Sequence, residues 1–145
     1  MNSNQTSLII FLGLSAPHDV RLLQCRNKVR VSWHDIKEKK NGYCISHRSL
    51  HDHFWTSCCR QSWLITNYTG GINSDDYAPR IYRFPDNSML FEQKLMDKQT
   101  LENAGRGSCQ IPVQGYYEFK VAAYNQFGTG YAASTKYHKC YIESR

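Results

Sequence analysis

Apolar and polar positions alternate with a period of two along much of this chain, most clearly near its C-terminal end. Tyr117, Phe119, Val121 and Ala123 fall on one side there, and Glu118, Lys120 and Tyr124 on the other. That alternation predicts a half-buried strand with a polar outer face. Asn125 to Gly130 supplies turn chemistry, with two glycines able to take positive φ. Tyr131 to Tyr137 returns as a second strand, so the unit reads as a β-hairpin.

The same period recurs upstream. Val20 to Cys25 reads as a strand, and Arg26-Asn27 as the turn after it. Val29, Val31 and Trp33 then share one face, with Lys28, Arg30 and Ser32 on the other. A polar loop ending in Asn41-Gly42 leads to a strand over Tyr43 to Arg48, with Ile45 inward. His51 to Cys59, containing Trp55, is predicted to pair back on it. Arg80 to Phe84 and Ser88 to Leu95 are strand-like around the turn triplet Pro85-Asp86-Asn87, and predict an extra hairpin. Met96 to Gly107 holds one short helical turn, and Cys109 to Val113 reads as a further strand. There is no internal repeat, low-complexity tract or heptad pattern.

The hairpin carries a resemblance. The order Tyr117-x-Phe119-x-Val121-x-Ala123-x-Asn125-x-x-Gly128-x-Gly130 resembles the F strand, FG turn and start of strand G of a fibronectin type III domain. Pro17 to Val20, with Val29 to Trp33, resembles that family's strands A and B and its core tryptophan. Gly42 to Arg48 resembles its strand C, and His51 to Cys59 would then be C′. The resemblance implies an all-β, two-sheet sandwich roughly 10 Å thick. It places Trp33, Val29, Val31, Ile45, Tyr117, Phe119, Val121 and Ala123 in the core, and Cys109 to Val113 as strand E. The domain would run over 17–145, with an insertion at about 63–107 between C′ and E. Sandwiches of this kind run to about 100 residues, so that insertion is the surplus. It reads either as a specificity element or as a tolerated surface loop.

Six cysteines in 145 residues, an even number without C-x-x-C spacing, point to an oxidising compartment and to disulfides. In the sandwich implied by the resemblance, Cys25 closes strand A and Cys140 closes strand G at one pole, so those two are expected to bond. Cys44 is expected to pair with Cys58 or Cys59, leaving the other for Cys109. Asn67-Tyr68-Thr69 is an acceptor triplet for N-glycosylation, as is Asn4-Gln5-Thr6 ahead of the apolar run Leu8 to Leu14. The segment 1–16 that holds this run reads either as a signal peptide cut after Ser15, as a disordered or strand-forming lead-in, or as the truncated or mispredicted start of a longer protein. No run reaches the ~20 apolar residues that span a bilayer.

With 18 basic and 12 acidic residues the net charge is +6. An anionic partner, such as a heparin-like glycan, is one reading, and an ordinary soluble surface is the other. Arg26, Lys28 and Arg30 follow the period of two and form the candidate polyanion stripe. Lys37, Lys39 and Lys40 make a short basic loop interrupted by Glu38. No recognition helix, zinc finger or RNP pattern supports nucleic-acid binding.

Catalytic signatures are missing: there is no G-x-S-x-G, P-loop or dinucleotide fingerprint. Asp75-Asp76 is an adjacent loop pair, and His53 near Cys58 is the sole thiol–imidazole combination of note. His47, His51, His53, Cys58 and Cys59 fall close together, but strand spacing aims them apart, against a tetrahedral zinc site. No cofactor is expected, and no enzyme. The reading is an extracellular protein-binding or adhesion module, part of a receptor or matrix protein or a small secreted binder. The alternatives are a structural spacer in a longer chain, and a metal- or thiol-dependent enzyme.

Overall fold

A computed structural model describes residues 13–49, 53–58, 65–71, 77–104, 111, 115–135 and 140–142. Among the described residues, ten strands and one helix follow in chain order: β1 (His18–Cys25), β2 (Lys28–His34), β3 (Gly42–Ser49), β4 (Thr56–Cys58), β5 (Ile65–Asn67), β6 (Arg80–Arg83), β7 (Ser88–Lys94), α1 (Lys98–Ala104), β8 (Gly115–Asn125), β9 (Gly128–Ser134) and β10 (Cys140–Ile142). They form two sheets, ordered β1-β2-β7-β6-β5 and β10-β8-β3-β4, with β9 also paired to β8. The fold is an all-β, fibronectin type III-like sandwich.

Facing sides of the two sheets make the core. Val29, Val31 and Trp33 of β2, with Met89 and Phe91 of β7 and Ile81 of β6, meet Tyr43, Ile45, Tyr117, Phe119, Val121 and Ala123 of the second sheet. Trp33 stands edge-on to Tyr43, ring centroids 5.1 Å apart. The Tyr43 hydroxyl accepts a hydrogen bond from Ile36 N at 2.9 Å and donates one to Asp35. Burial, then the hydrogen bond to Asp35, pushes the Tyr43 pKa far up. Asp35 in turn takes Lys40 Nζ at 2.7 Å and an Arg83 nitrogen at 2.9 Å, which ties the β2–β3 loop to β6. Burial works against the Asp35 charge, but the hydrogen bonds of Lys40 and Tyr43 and the two cations outweigh it and hold the carboxyl below its usual range.

Strand placement differs from the expectation in one respect. The strand beside β2 is β7, whose Val31↔Phe91 and Trp33↔Met89 pairs carry the core face. It therefore takes the place expected for Cys109–Val113, of which Ile111 alone is described, buried and outside any strand. The stretch read as an insertion supplies β5, β6 and β7 to the first sheet. The local pattern marked β6 and β7 but not the three-residue β5, and which strand each sits beside is a long-range property that alternation does not encode.

The same stretch also covers the outer side of its sheet. Glu92, Leu90 and Tyr82 alternate outward yet are buried. Beyond β5, Tyr68 packs its ring on Tyr82 at 5.4 Å. Gly71, at φ +89°, lies so close to Glu92 that a Cβ would come within 3.1 Å of its Oε1. Tyr77 lies under Lys94 Nζ, 4.6 Å from the ring centroid.

At the N-terminal side the packed chain begins before Pro17. Leu14 is a member of the hydrophobic core, and its carbonyl accepts a backbone hydrogen bond from Tyr131 of β9. A chain cut after Ser15 would lack that core residue. Downstream, Asp97 caps α1 by accepting from Thr100 N at 2.7 Å. No helix among the described residues is long and apolar enough to cross a membrane.

Candidate functional site

The outer face of the second sheet is built by the longest ladder among the described residues. β3 and β8 pair antiparallel from Gly42↔Tyr124 to Ser49↔Tyr117. Period-two alternation sends Tyr43, Ile45 and His47 inward with Ala123, Val121 and Phe119. It sends Ser46 and Arg48 outward with Lys120 and Glu118. Arg48 Nε donates to Glu118 Oε1 at 2.8 Å, a directly opposed ion pair. β4 adds Ser57, whose hydroxyl is 2.9 Å from that of Ser46.

Trp55 leads into β4 and lies against this face. The Arg48 guanidinium carbon and Lys120 Nζ each sit over its ring, both 4.5 Å from the centroid. Each such contact is worth ~0.5–1 kcal/mol at a partly exposed site. Together they hold the indole against the sheet. Toward the start of β8, Tyr116 pairs with Tyr141 of β10, and their rings meet at a tilt of 57° with centroids 4.8 Å apart. These two rings are 53% and 42% exposed. Tyr116, Glu118 and Lys120 lie on one side of β8 by the same alternation, so the tyrosines lie on the same sheet face as Trp55.

Sequence reasoning marked Glu118 and Lys120 as outward but missed Trp55 and Tyr141 as their neighbours. Trp55 was placed inside the strand expected over His51 to Cys59, whereas it stands just ahead of the shorter β4. Its cations come from two other strands, which only the sheet order supplies.

The polyanion stripe fares differently. Arg26 is exposed in the β1–β2 turn. Lys28 Nζ, however, is 3.0 Å from Glu92 Oε1, and Arg30 Nε is 3.9 Å from Glu92 Oε2. Glu92 is fully buried, so two of the three expected cations serve an internal carboxylate.

The histidines read against zinc do not converge among the described residues. His47 faces the core beside Tyr117, while His53 is exposed. Burial pushes the His47 pKa down to about 4. No group of three histidine, cysteine or acidic side chains suited to a metal occurs among the described residues. His51, Cys59, Cys109 and Asn4 lie outside the described residues, as do Asp75 and Asp76.

Cys25 is a free thiol, which overturns the expected bond to Cys140. Cys25 closes β1 opposite Val29, whereas Cys140 opens β10 opposite Tyr117 instead of closing a strand. They belong to different sheets, and Cys25 packs against the hydrophobic core instead of bridging outward. Cys44 is half of a disulfide whose other half lies outside the described side chains.

Asn67, exposed at the end of β5, lines a groove of about 520 Å³ with Tyr68, Arg83, Phe84, Pro85 and Asn87.

No protein-family model matches this chain, and no curated protein matches it. Among solved structures it is similar to the crystal structure of chicken CNTN1 FN1–FN3 domains, at 16% identity and a TM-score of 0.47. The match covers 90% of this chain and 32% of that one, so the chain spans about a third of that structure.

Proposed function

We propose that this chain is an extracellular binding module that recognises a protein partner through the outer face of the β4–β3–β8 sheet. The observation that carries this reading is the exposed, tilted Tyr116–Tyr141 ring pair, on the same sheet face as Trp55 and its two cations. Tyrosine, tryptophan and arginine are the side chains that interfaces concentrate at their centres. A ring with one polar end gains area on burial and still keeps a hydrogen bond. The sandwich architecture is one that serves adhesion and protein binding, although a fold alone names no ligand. The disulfide at Cys44 and the cysteine content support an oxidising, extracellular setting. An anionic glycan is a weaker partner, because Glu92 already occupies Lys28 and Arg30.

The test places a photo-crosslinking residue at Tyr116 in the intact chain and presents it to cell surfaces. A discrete adduct is expected, absent when the same residue replaces exposed Leu23 on the other sheet. Tyr141→Glu should abolish the adduct while circular dichroism stays unchanged. Equal labelling from both positions would overturn the binding reading and leave a spacer.

A further inference from the structure

We infer that the groove beside Asn67 seats the first sugar of a glycan carried on Asn67 itself, making that sugar part of the packed surface. The inference rests on the extracellular reading, because the modification belongs to the secretory pathway.

Three observations converge on it. Asn67 and Thr69, the acceptor and the hydroxyl residue of the triplet, are both exposed. Gly70 and Gly71 follow at φ +124° and +89°, so the chain turns away directly beyond the triplet. The groove that Asn67 lines is floored by rings. Tyr68 and Phe84 lie 5.1 Å apart with planes tilted by 35°, and Tyr68 is 40% exposed. The groove holds about 520 Å³ and is half open to solvent, as a site for a sugar attached at its rim must be.

The lining fits a pyranose. A sugar ring presents C–H groups on one face and hydroxyls at its rim. The C–H face suits the Tyr68 and Phe84 rings, and Pro85 extends the apolar wall. Arg83 and Asn87 stand at the groove with donors for the acetamide carbonyl and rim hydroxyls. Arg83 spends one nitrogen on Asp35 and is otherwise 44% exposed, so further donors remain. The attachment forms one bond and breaks one. The Asn67 amide nitrogen bonds to the anomeric carbon of a lipid-diphosphate-linked oligosaccharide. The sugar–phosphate C–O bond breaks, the lipid diphosphate leaves with the electron pair, and the amide loses one proton to solvent. A tethered ligand pays little of the association entropy that a free sugar would pay, so weak stacking is enough to hold it.

The experiment compares full-length chain made in a secretory host with the same chain carrying Thr69→Ala, which removes the triplet but keeps Asn67. Mass analysis of the peptide containing Asn67 should show the glycan. The glycosylated form should melt about 3 °C higher, a shift readable at this chain length. Endoglycosidase trimming to the single attached N-acetylglucosamine should preserve that gain. In Phe84→Leu, which keeps apolar bulk but loses the ring, the gain should vanish; Phe84→Ala should repeat the result. A gain unchanged in Phe84→Leu, or lost on trimming to one sugar, overturns the seating. An unmodified Asn67 overturns it as well, yet leaves the Tyr116 crosslinking result standing by itself.

Discussion

Gly130 of β9 lies against the backbone of Leu14, so close that a Cβ on Gly130 would sit 2.6 Å from the Leu14 carbonyl oxygen. This contact lets the segment ahead of β1 run along the edge of β9 and bury Leu14. Gly130→Ala should therefore either strain the pair or release the segment. The expected cost is ~1–3 kcal/mol in urea unfolding, the range for overpacking. Gly128 is the control: at φ +136° it has nothing within 4 Å of a Cβ, so Gly128→Ala strains the turn alone. Leu14→Ala should cost ~2–4 kcal/mol if the segment is core. A neutral Leu14→Ala would remove the segment from the fold.

The buried His47 makes stability depend on pH. Its folded pKa of about 4 lies below the ordinary 6.5, so between those values the unfolded chain binds a proton that the folded chain refuses. Stability from this group is full above about pH 6.5 and falls as pH drops toward 4. The loss reaches at most about 3 kcal/mol. Asp35, held below its usual range, acts in the same direction at lower pH. Denaturant midpoints at pH 7 and pH 4.5 should differ clearly in the wild type and much less in His47→Leu. A pH slope unaffected by His47→Leu would reject the assignment.

Glu92 links stability to polyanion binding. Glu92→Gln should cost about 2 kcal/mol, less than the ~3–5 kcal/mol of a fully buried pair, because Lys28 and Arg30 still reach solvent. The same change frees two cations, so retention on a heparin column should rise and become steeper in salt. Retention that is already high in the wild type, and indifferent to Glu92→Gln, would show that Lys28 and Arg30 are available for polyanions as they stand.

The cross-strand register predicts the partner of Cys44. β4 sets Ile45 opposite Cys58 and Ser46 opposite Ser57. One more step of that register assigns Cys59 to Cys44. Peptide mapping without reduction should recover a Cys44–Cys59 pair, and alkylation should tag Cys25 in the unreduced, unfolded protein. A Cys25–Cys140 peptide would contradict the free thiol.

Much of the strand content was legible because alternation is a local property. Tyr117, Phe119, Val121 and Ala123 share one side of their strand and lie in the core, while Glu118 and Ala122 on the other side are buried as well. Val29, Val31 and Trp33 likewise share a side and lie in the core. The helical turn after Met96 and the turn at Pro85 to Asn87 also follow from nearby residues. Tertiary structure alone decided which strands became neighbours. The seat of β7 beside β2, the burial of Glu92 under Gly71, and the meeting of Trp55 with Arg48 and Lys120 join residues far apart in sequence. Cys25 shows the same division. Its strand and its place at the strand's end could be read from the chain, but its thiol turned to the core, and that direction depends on the opposite sheet. A period of two tells each side chain which face it takes, and long-range packing determines what that face meets.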